Sequence, residues 1–120
     1  MQYSEAVRRY FDAPVNAGPL PGHAARGEAG EREQGIHVVF WARVQDGRIE
    51  DISFQAFGCP HSIAACCLAT ERLRGQAAEA MLELAPESLA APLEMPAEKM
   101  GRLLVIQDAL RNCFRAWENS

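Results

Sequence analysis

The 120-residue sequence lacks the motifs that mark most ordinary enzymes. It contains no Cys-x-x-Cys pair, no glycine-rich phosphate loop with its lysine and no Gly-x-Ser-x-Gly elbow. It also lacks an excess of basic residues, since 12 Lys and Arg stand against 16 Asp and Glu for a formal net charge of −4. A surface that binds nucleic-acid phosphates is therefore not expected. The sequence predicts neither an ordinary enzyme nor a nucleic-acid partner.

Long apolar segments and a disulfide framework are absent as well. No run approaches the ~20 residues of a membrane span, and the opening MQYSEAVRRY has no apolar core of a signal peptide. The four cysteines have neither the density nor the spacing of a secreted, disulfide-rich protein. We expect a cytoplasmic protein with reduced thiols and no membrane association. Its length suits a single domain over residues 1–120.

The pattern of apolar and turn residues predicts a fold of the α+β class. Ser4 is a fitting N-cap for a helix over residues 5–11. Residues 12–35 are rich in proline, glycine and charge, and are expected to be mostly loop. Alternating apolar residues then predict two strands, over residues 36–44 and 52–56, joined by a hairpin at Gln-Asp-Gly-Arg.

The second half of the chain is predicted to be helical. The helices are expected over residues 60–74, 76–84 and 99–118, with a proline-bearing linker at 85–96. The last helix carries an apolar stripe that should pack onto the sheet. Two antiparallel strands with one apolar face need such a cover. The prediction is a small antiparallel β-sheet packed on one side by helices.

The segment QAFGCPHSIAACC, residues 55–67, is the most informative motif. Pro60 suits the first position of a helix, which places Cys59 at the N-cap. Free backbone N–H groups and the positive end of the helix dipole favour a thiolate there. His61, two residues further on, is either a group that assists the thiolate or binds a metal, or a solvated residue at the helix start. Cys59 is thus the candidate reactive thiol.

The other three cysteines are expected to be structural. Cys66 and Cys67 lie two helical turns beyond Cys59, at Cα separations of ~10 to 12 Å. That distance is too long for a disulfide. Cys113 lies on the apolar stripe of the last helix. Free cysteines in such positions behave as small buried apolar side chains.

Three stretches, in order along the chain, resemble the IscU family of iron-sulfur cluster assembly scaffolds and the equivalent N-terminal domain of NifU. They are YSEAVRRYFDAPVNAGPL, DGRIEDISFQAFGCPHSIAACCLATERLRG and LEMPAEKMGRLLVIQDAL. The resemblance implies the same α+β fold, no catalytic residues, and a role in iron-sulfur cluster assembly. It implies a cysteine desulfurase and other assembly proteins as partners.

The resemblance also implies a binding site for zinc or a nascent [2Fe-2S] cluster, held by three cysteines and an aspartate or histidine at one end of the molecule. The family's Cys-Gly-Asp corresponds here to Gln34, Gly35 and Ile36, its second cysteine to Cys59, and its His-Cys pair to Gly101 and Arg102. Only Cys59 keeps a ligand atom, and one thiolate cannot hold a cluster whose irons need two protein ligands each. The positive charge of Arg102 would oppose a metal cation and would lower the pKa of a nearby Cys59.

Two further parts of the resemblance concern binding. A small shift of register would bring His37 toward the place of the missing aspartate, although a one-residue slip turns a strand side chain to the other face. The family's chaperone-docking segment, Leu-Pro-Pro-Val-Lys, corresponds here to residues 95–99, which begin with Met95. Of the family's residues, this segment keeps one proline, Pro96, and the lysine, Lys99. Glu98 replaces the valine, and a charge in an extended docking peptide weakens that contact.

Three functions remain open. In the first, the chain is a divergent scaffold that binds iron or a cluster through Cys59, with ligands from a partner or from the second subunit of a homodimer. In the second, it is a pseudo-scaffold that binds and modulates the cysteine desulfurase. In the third, it is a persulfide acceptor that uses Cys59. A stable domain with a vestigial cysteine is the alternative without any of these functions.

Overall fold

A computed structural model, which describes residues 2–120, contains three strands and five α-helices. The strands are β1 (Ala25–Glu31), β2 (Ile36–Gln45) and β3 (Arg48–Phe57). The helices are α1 (Glu5–Asp12), α2 (Pro60–Leu73), α3 (Ala80–Glu83), α4 (Pro86–Leu93) and α5 (Met100–Glu118). Short 3₁₀ helices, Arg32–Gln34 and Ala97–Lys99, precede β2 and α5. The predicted α+β class is confirmed.

The strands form an antiparallel meander in the order β1-β2-β3. Asp46 and Gly47 connect β2 to β3 with φ angles of 53° and 76°, as a two-residue hairpin requires. The face of the sheet that carries Val38, Phe40 and Ile52 is buried. Helix α2 packs against β3, and α5 packs against β1 and β2. The helices cover one face of the sheet, as predicted.

Strand β1 lies inside residues 12–35, whose composition predicts mostly loop, and that prediction is wrong for Ala25–Glu31. Its sequence, ARGEAGE, is rich in glycine and charged residues, which are uncommon in strands. The strand forms because its backbone packs closely on α5: a Cβ at Gly27 would lie 2.0 Å from the Cys113 backbone nitrogen. Asn112 Nδ2 also donates to the carbonyl oxygen of Glu28 at 2.9 Å. Long-range packing overrides local propensity.

The region between α2 and α5 also differs from the prediction. The helix expected over residues 76–84 is present only as α3, and the linker expected over residues 85–96 contains α4. Pro86 occupies the first turn of α4, where a missing N–H costs nothing. Leu89 and Leu93, four residues apart, are both buried. Burial of this pair favours a helix despite the prolines.

The remaining helices begin and end close to the predicted positions. Ser4 caps α1, because its Oγ accepts a hydrogen bond from the Val7 N–H at 3.1 Å. Helix α2 starts at Pro60 and is followed by Gly75 with a φ of 85°. Along α5 the apolar stripe is buried. None of the helices within residues 2–120 combines the length and apolar character needed to cross a membrane.

Candidate functional site

Cys59 lies at the N-cap of α2 with an extended backbone, φ −78° and ψ 169°. Its carbonyl oxygen accepts the first hydrogen bond of the helix, from the Ile63 N–H at 3.2 Å. Its Sγ lies 3.5 Å from the Ser62 Oγ. The side chain is half-buried, whereas the other three cysteines are buried. The structure thus places one accessible thiol at a helix N-terminus.

The pKa of the Cys59 thiol is lowered from its ordinary value. Burial acts to raise this pKa, but the Ser62 hydroxyl, the backbone N–H groups of Ser62 and His61, and the positive charge of Lys99 stabilise the thiolate and outweigh burial. Lys99 was predicted only as a docking residue. The residue missed entirely was Ser62, although its position three residues after an N-cap is one that commonly interacts with the cap.

The other thiols have the opposite electrostatic environment. Burial raises the pKa of Cys66 and of Cys67. Burial also raises the pKa of Cys113 to about 12. Such thiols stay protonated near neutral pH and react slowly. Their expected structural role agrees with these positions.

The four positions that have lost a ligand line one open pocket of about 280 Å³. Its walls come from the segment before β2 and from the start of α5, and are formed by Gln34, Ile36, Glu98, Gly101, Arg102 and Val105. Gly58, the residue before Cys59, lies beside one wall of this pocket, because a Cβ on it would lie 3.7 Å from the Ile36 Cγ1. The fold therefore brings these four positions, from two distant parts of the sequence, to one pocket.

Arg102 occupies a defined position in this pocket. Its Nη1 donates a hydrogen bond to the carbonyl oxygen of Gly35 at 3.1 Å. Gly35 has a left-handed backbone, φ 88°, and the guanidinium lies against its open side, 3.7 Å from where a Cβ would be. The cation therefore contacts the segment that carries the first two ligand positions.

His61 is buried rather than solvated, so that alternative for the helix start was wrong. Its side chain is 1 % exposed, and its ring lies edge-on to Tyr3 at a centroid distance of 4.9 Å. Within residues 2–120 its Nδ1 has no hydrogen-bond partner. Burial lowers the pKa of His61, as do the positive charges of Lys99 and Arg102, while Glu98 acts in the opposite direction.

His37 lies on the face of the sheet that the helices leave uncovered. Its Nε2 is 2.8 Å from the Glu28 Oε2. It lines a separate pocket of about 330 Å³, together with Arg26, Arg32 and Phe57. The alternation of side chains along β2 turns Ile36 toward the helices and His37 away from them. The structure does not bring His37 to the pocket that contains Arg102.

The segment predicted to dock a partner forms the turn between α4 and α5. Met95 is half-buried and packs against the core, and Pro96 precedes the 3₁₀ helix that contains Lys99. Glu98 is exposed and lines the Arg102 pocket. The segment is thus continuous with the Cys59 end of the molecule, and its role in docking stays a prediction.

These side chains do not fit the metal or cluster that the resemblance implied. Among residues 2–120 no group of three or more His, Cys, Asp and Glu side chains is arranged to hold a metal ion. Glutamine, isoleucine, glycine and arginine replace the other ligand types, and a [2Fe-2S] cluster needs four ligands. A single chain supplies one suitable thiolate, at Cys59.

Known proteins match this chain along almost its whole length. The model of the NifU-like N-terminal domain family matches residues 2–120. The chain belongs to the NifU-like N-terminal domain family. The iron-sulfur cluster assembly scaffold protein IscU 1 of Archaeoglobus fulgidus is 36% identical over 113 residues, which are 93% of this chain and 74% of that protein. The iron-sulfur cluster assembly scaffold protein IscU of Escherichia coli is 29% identical over 115 residues, 92% of this chain and 90% of that protein.

Solved structures show that the fold is that of the family. The N-terminal NifU-like protein of Brucella abortus superposes with a TM-score of 0.79 at 15% identity, covering 98% of this chain and 94% of that one. A putative iron-sulfur cluster assembly scaffold protein for the SUF system of Fervidobacterium islandicum gives a TM-score of 0.74 at 18% identity, covering 91% and 93%. The resemblance noted in the sequence is confirmed, and so is the α+β fold it implied.

Proposed function

We propose that this NifU-like chain works in iron-sulfur cluster assembly by receiving sulfur on Cys59, and that a single chain does not itself hold a cluster. The supporting observation is that Cys59, the one cysteine kept among the positions that correspond to the family's ligands, has a thiol pKa below its ordinary value. The relatives named as iron-sulfur cluster assembly scaffolds support the general role. The cytoplasmic location expected from the sequence belongs to the same proposal.

The sulfur donor in this proposal is the persulfide of a cysteine desulfurase. The Cys59 thiolate attacks the outer sulfur of the donor persulfide, R–S–SH. The new S–S bond forms on Cys59 as the donor S–S bond breaks, and the donor cysteine leaves as a thiolate. The products are a Cys59 persulfide and a donor thiolate, so no oxidant or reductant is consumed. The Ser62 hydroxyl and the α2 N–H groups keep Cys59 in the attacking form.

Mass spectrometry after incubation with a cysteine desulfurase and cysteine tests this step. The wild-type chain should gain one sulfur atom, about 32 Da, at Cys59, and the gain should disappear on treatment with a reductant. Cys59→Ser should gain none, while Cys66→Ala, which removes a buried thiol, should behave like the wild type. An unmodified Cys59 in the presence of a turning-over desulfurase would rule the acceptor role out.

A cluster shared between chains is the alternative that the same site allows. Two copies of Cys59 across a two-fold axis would supply two thiolates, and thiols from outside the chain would complete four ligands. Two measurements on anaerobically purified protein separate the shared cluster from the sulfur acceptor. They are the content of metal and acid-labile sulfide, and the oligomeric mass. Stoichiometric iron and sulfide in a dimer, lost in Cys59→Ser, would favour the shared cluster. Metal-free protein would favour the sulfur acceptor.

A second candidate function is a pseudo-scaffold that docks on the desulfurase and modulates it. The observation in its favour is that Arg102 lines the pocket of the lost ligands and bonds to Gly35, while the family fold is retained. If the chain has this function, adding it should change the turnover of the desulfurase, and the wild type and Cys59→Ser should change that turnover equally. A turnover effect that depends on Cys59 would instead support sulfur transfer.

A further inference from the structure

Arg102 connects two segments that are far apart in sequence. One is the turn made of the 3₁₀ helix Arg32–Gln34 and Gly35, and the other is the first turn of α5. The hydrogen bond from the Arg102 Nη1 to the Gly35 carbonyl oxygen spans 67 residues of sequence. Nearby, a Cβ at Gly30 would lie 2.9 Å from the Val105 Cγ1, so β1 and α5 also approach closely here.

The same two segments, with Ile36 directly after the first, carry four of the positions at which the resemblance places ligands, namely Gln34, Ile36, Gly101 and Arg102. A metal ion bound by side chains from separate segments holds those segments together, and its binding energy then contributes to folding. Such an ion is not accommodated by these residue types. The arginine makes the connection between the segments directly.

We infer that Arg102 takes the place of a metal ion in this chain, as a clasp that holds the start of α5 against the turn before β2 and that excludes metal cations from the pocket. A guanidinium presents several N–H donors in a rigid planar fork, which suits it to connect two backbone segments. Its hydrogen bond to a carbonyl is charge-assisted, and therefore stronger than a neutral one.

The electrostatics of the pocket support exclusion of metal ions. Arg102 lines the pocket, and Lys99 lies close enough to act on Cys59. Glu98 adds one carboxylate to the pocket wall. A divalent cation in this pocket would be repelled by the two positive charges of Arg102 and Lys99. Arg102 is thus a residue that determines which chemistry this end of the fold can perform.

Hydrogen exchange tests whether Arg102 holds the start of α5 against the turn before β2. In Arg102→Ala, backbone amides of residues 32–38 and 99–105 should exchange faster by about 10-fold or more, the expected effect of losing a charge-assisted hydrogen bond. Arg115→Ala is the matched control, because Arg115 lies on the same helix and bonds only to Asn112 among the described residues. Unchanged exchange in both segments of Arg102→Ala would overturn the clasp.

Metal titration tests the exclusion. The wild-type chain should take up less than one Zn²⁺ per chain after dialysis, and its exchange pattern should be the same with Zn²⁺ as with a chelator. The double variant Gln34→Cys, Arg102→Cys joins two new thiols to Cys59 and leaves the buried Ile36 in place, and should retain one Zn²⁺ per chain. In the double variant, bound zinc should then slow the hydrogen exchange of the backbone amides of residues 32–38 and 99–105, as Arg102 does in the wild type.

Two results would contradict the exclusion. The first is one tightly held Zn²⁺ in the wild-type chain that is lost in Cys59→Ser. The second is a folded double variant, judged by circular dichroism, that retains no zinc. Neither metal content nor local exchange involves sulfur transfer or a desulfurase, so the clasp and the Cys59 acceptor role succeed or fail separately.

Discussion

The Ser62 Oγ lies 3.5 Å from the Cys59 Sγ, within the first turn of α2. The two side chains are three residues apart, and a helix brings residues at that spacing to the same face. The hydroxyl, the backbone N–H groups of the helix start and Lys99 together favour the thiolate over the thiol. The Ser62 hydroxyl is therefore one of the groups that lower the pKa of the Cys59 thiol.

We expect the reaction of Cys59 with an alkylating reagent to follow the thiolate fraction. Because the pKa of Cys59 is lowered, its rate should reach half of its maximum at a lower pH than that of an unperturbed cysteine in a short peptide. In Ser62→Ala the midpoint should move to higher pH, since a hydrogen bond to the thiolate is lost. The measurement is the alkylation rate as a function of pH, with Ser120→Ala as a remote hydroxyl control. A midpoint that is unaffected by Ser62→Ala would show that the hydroxyl does not contribute.

We expect only one of the four cysteines to react in the native protein. Cys66, Cys67 and Cys113 are buried, and burial raises the pKa of each. Iodoacetamide at neutral pH should therefore add one group per chain, at Cys59, and four groups in denaturant. Peptide mapping after short exposure checks the position. Modification of a second cysteine at a comparable rate would contradict the packing of α2 or α5.

Gly27→Ala should destabilise the fold by about 3 kcal/mol, because the new methyl would overlap the α5 backbone and force β1 away from it. A Cβ there would lie 2.0 Å from the Cys113 nitrogen and 2.5 Å from the Asn112 carbonyl carbon. Gly101→Ala is the control, since no atom lies within 4 Å of its Cβ. Alanine also suits a helix better, so this control should be neutral or up to about 1 kcal/mol more stable. Urea unfolding of both variants measures the difference, and similar midpoints would contradict the close approach of β1 to α5.

Ser4→Ala should reduce the free energy of unfolding by about 1 to 2 kcal/mol. The Ser4 Oγ accepts from the Val7 N–H at 3.1 Å and donates to the Leu93 carbonyl oxygen at 2.7 Å. The substitution removes both the α1 cap and a contact to α4. Ser120→Ala, at an exposed residue, should change the free energy by less than about 0.5 kcal/mol. Thermal or urea unfolding tests this, and equal stability of the two variants would contradict the capping contact.

Local patterns were sufficient for the elements with clear signals. The alternation from Ile36 and the Asp46–Gly47 turn predicted the β2–β3 hairpin, because side chains alternate along a strand and that dipeptide suits a two-residue turn. Pro60 predicted the start of α2 and therefore the cap position of Cys59.

The sequence by itself therefore determined the fold class, the hairpin, the main helices and the position of Cys59 at the N-cap of α2. Tertiary structure alone decided the existence of β1, the burial of His61 and the partner of Arg102. Gly27 and its charged neighbours form a strand only because α5 lies against their backbone. Likewise, Arg102 is a clasp only because Gly35 lies beside it, 67 residues away in the chain. Contacts over such separations leave no periodic trace in the sequence around either residue.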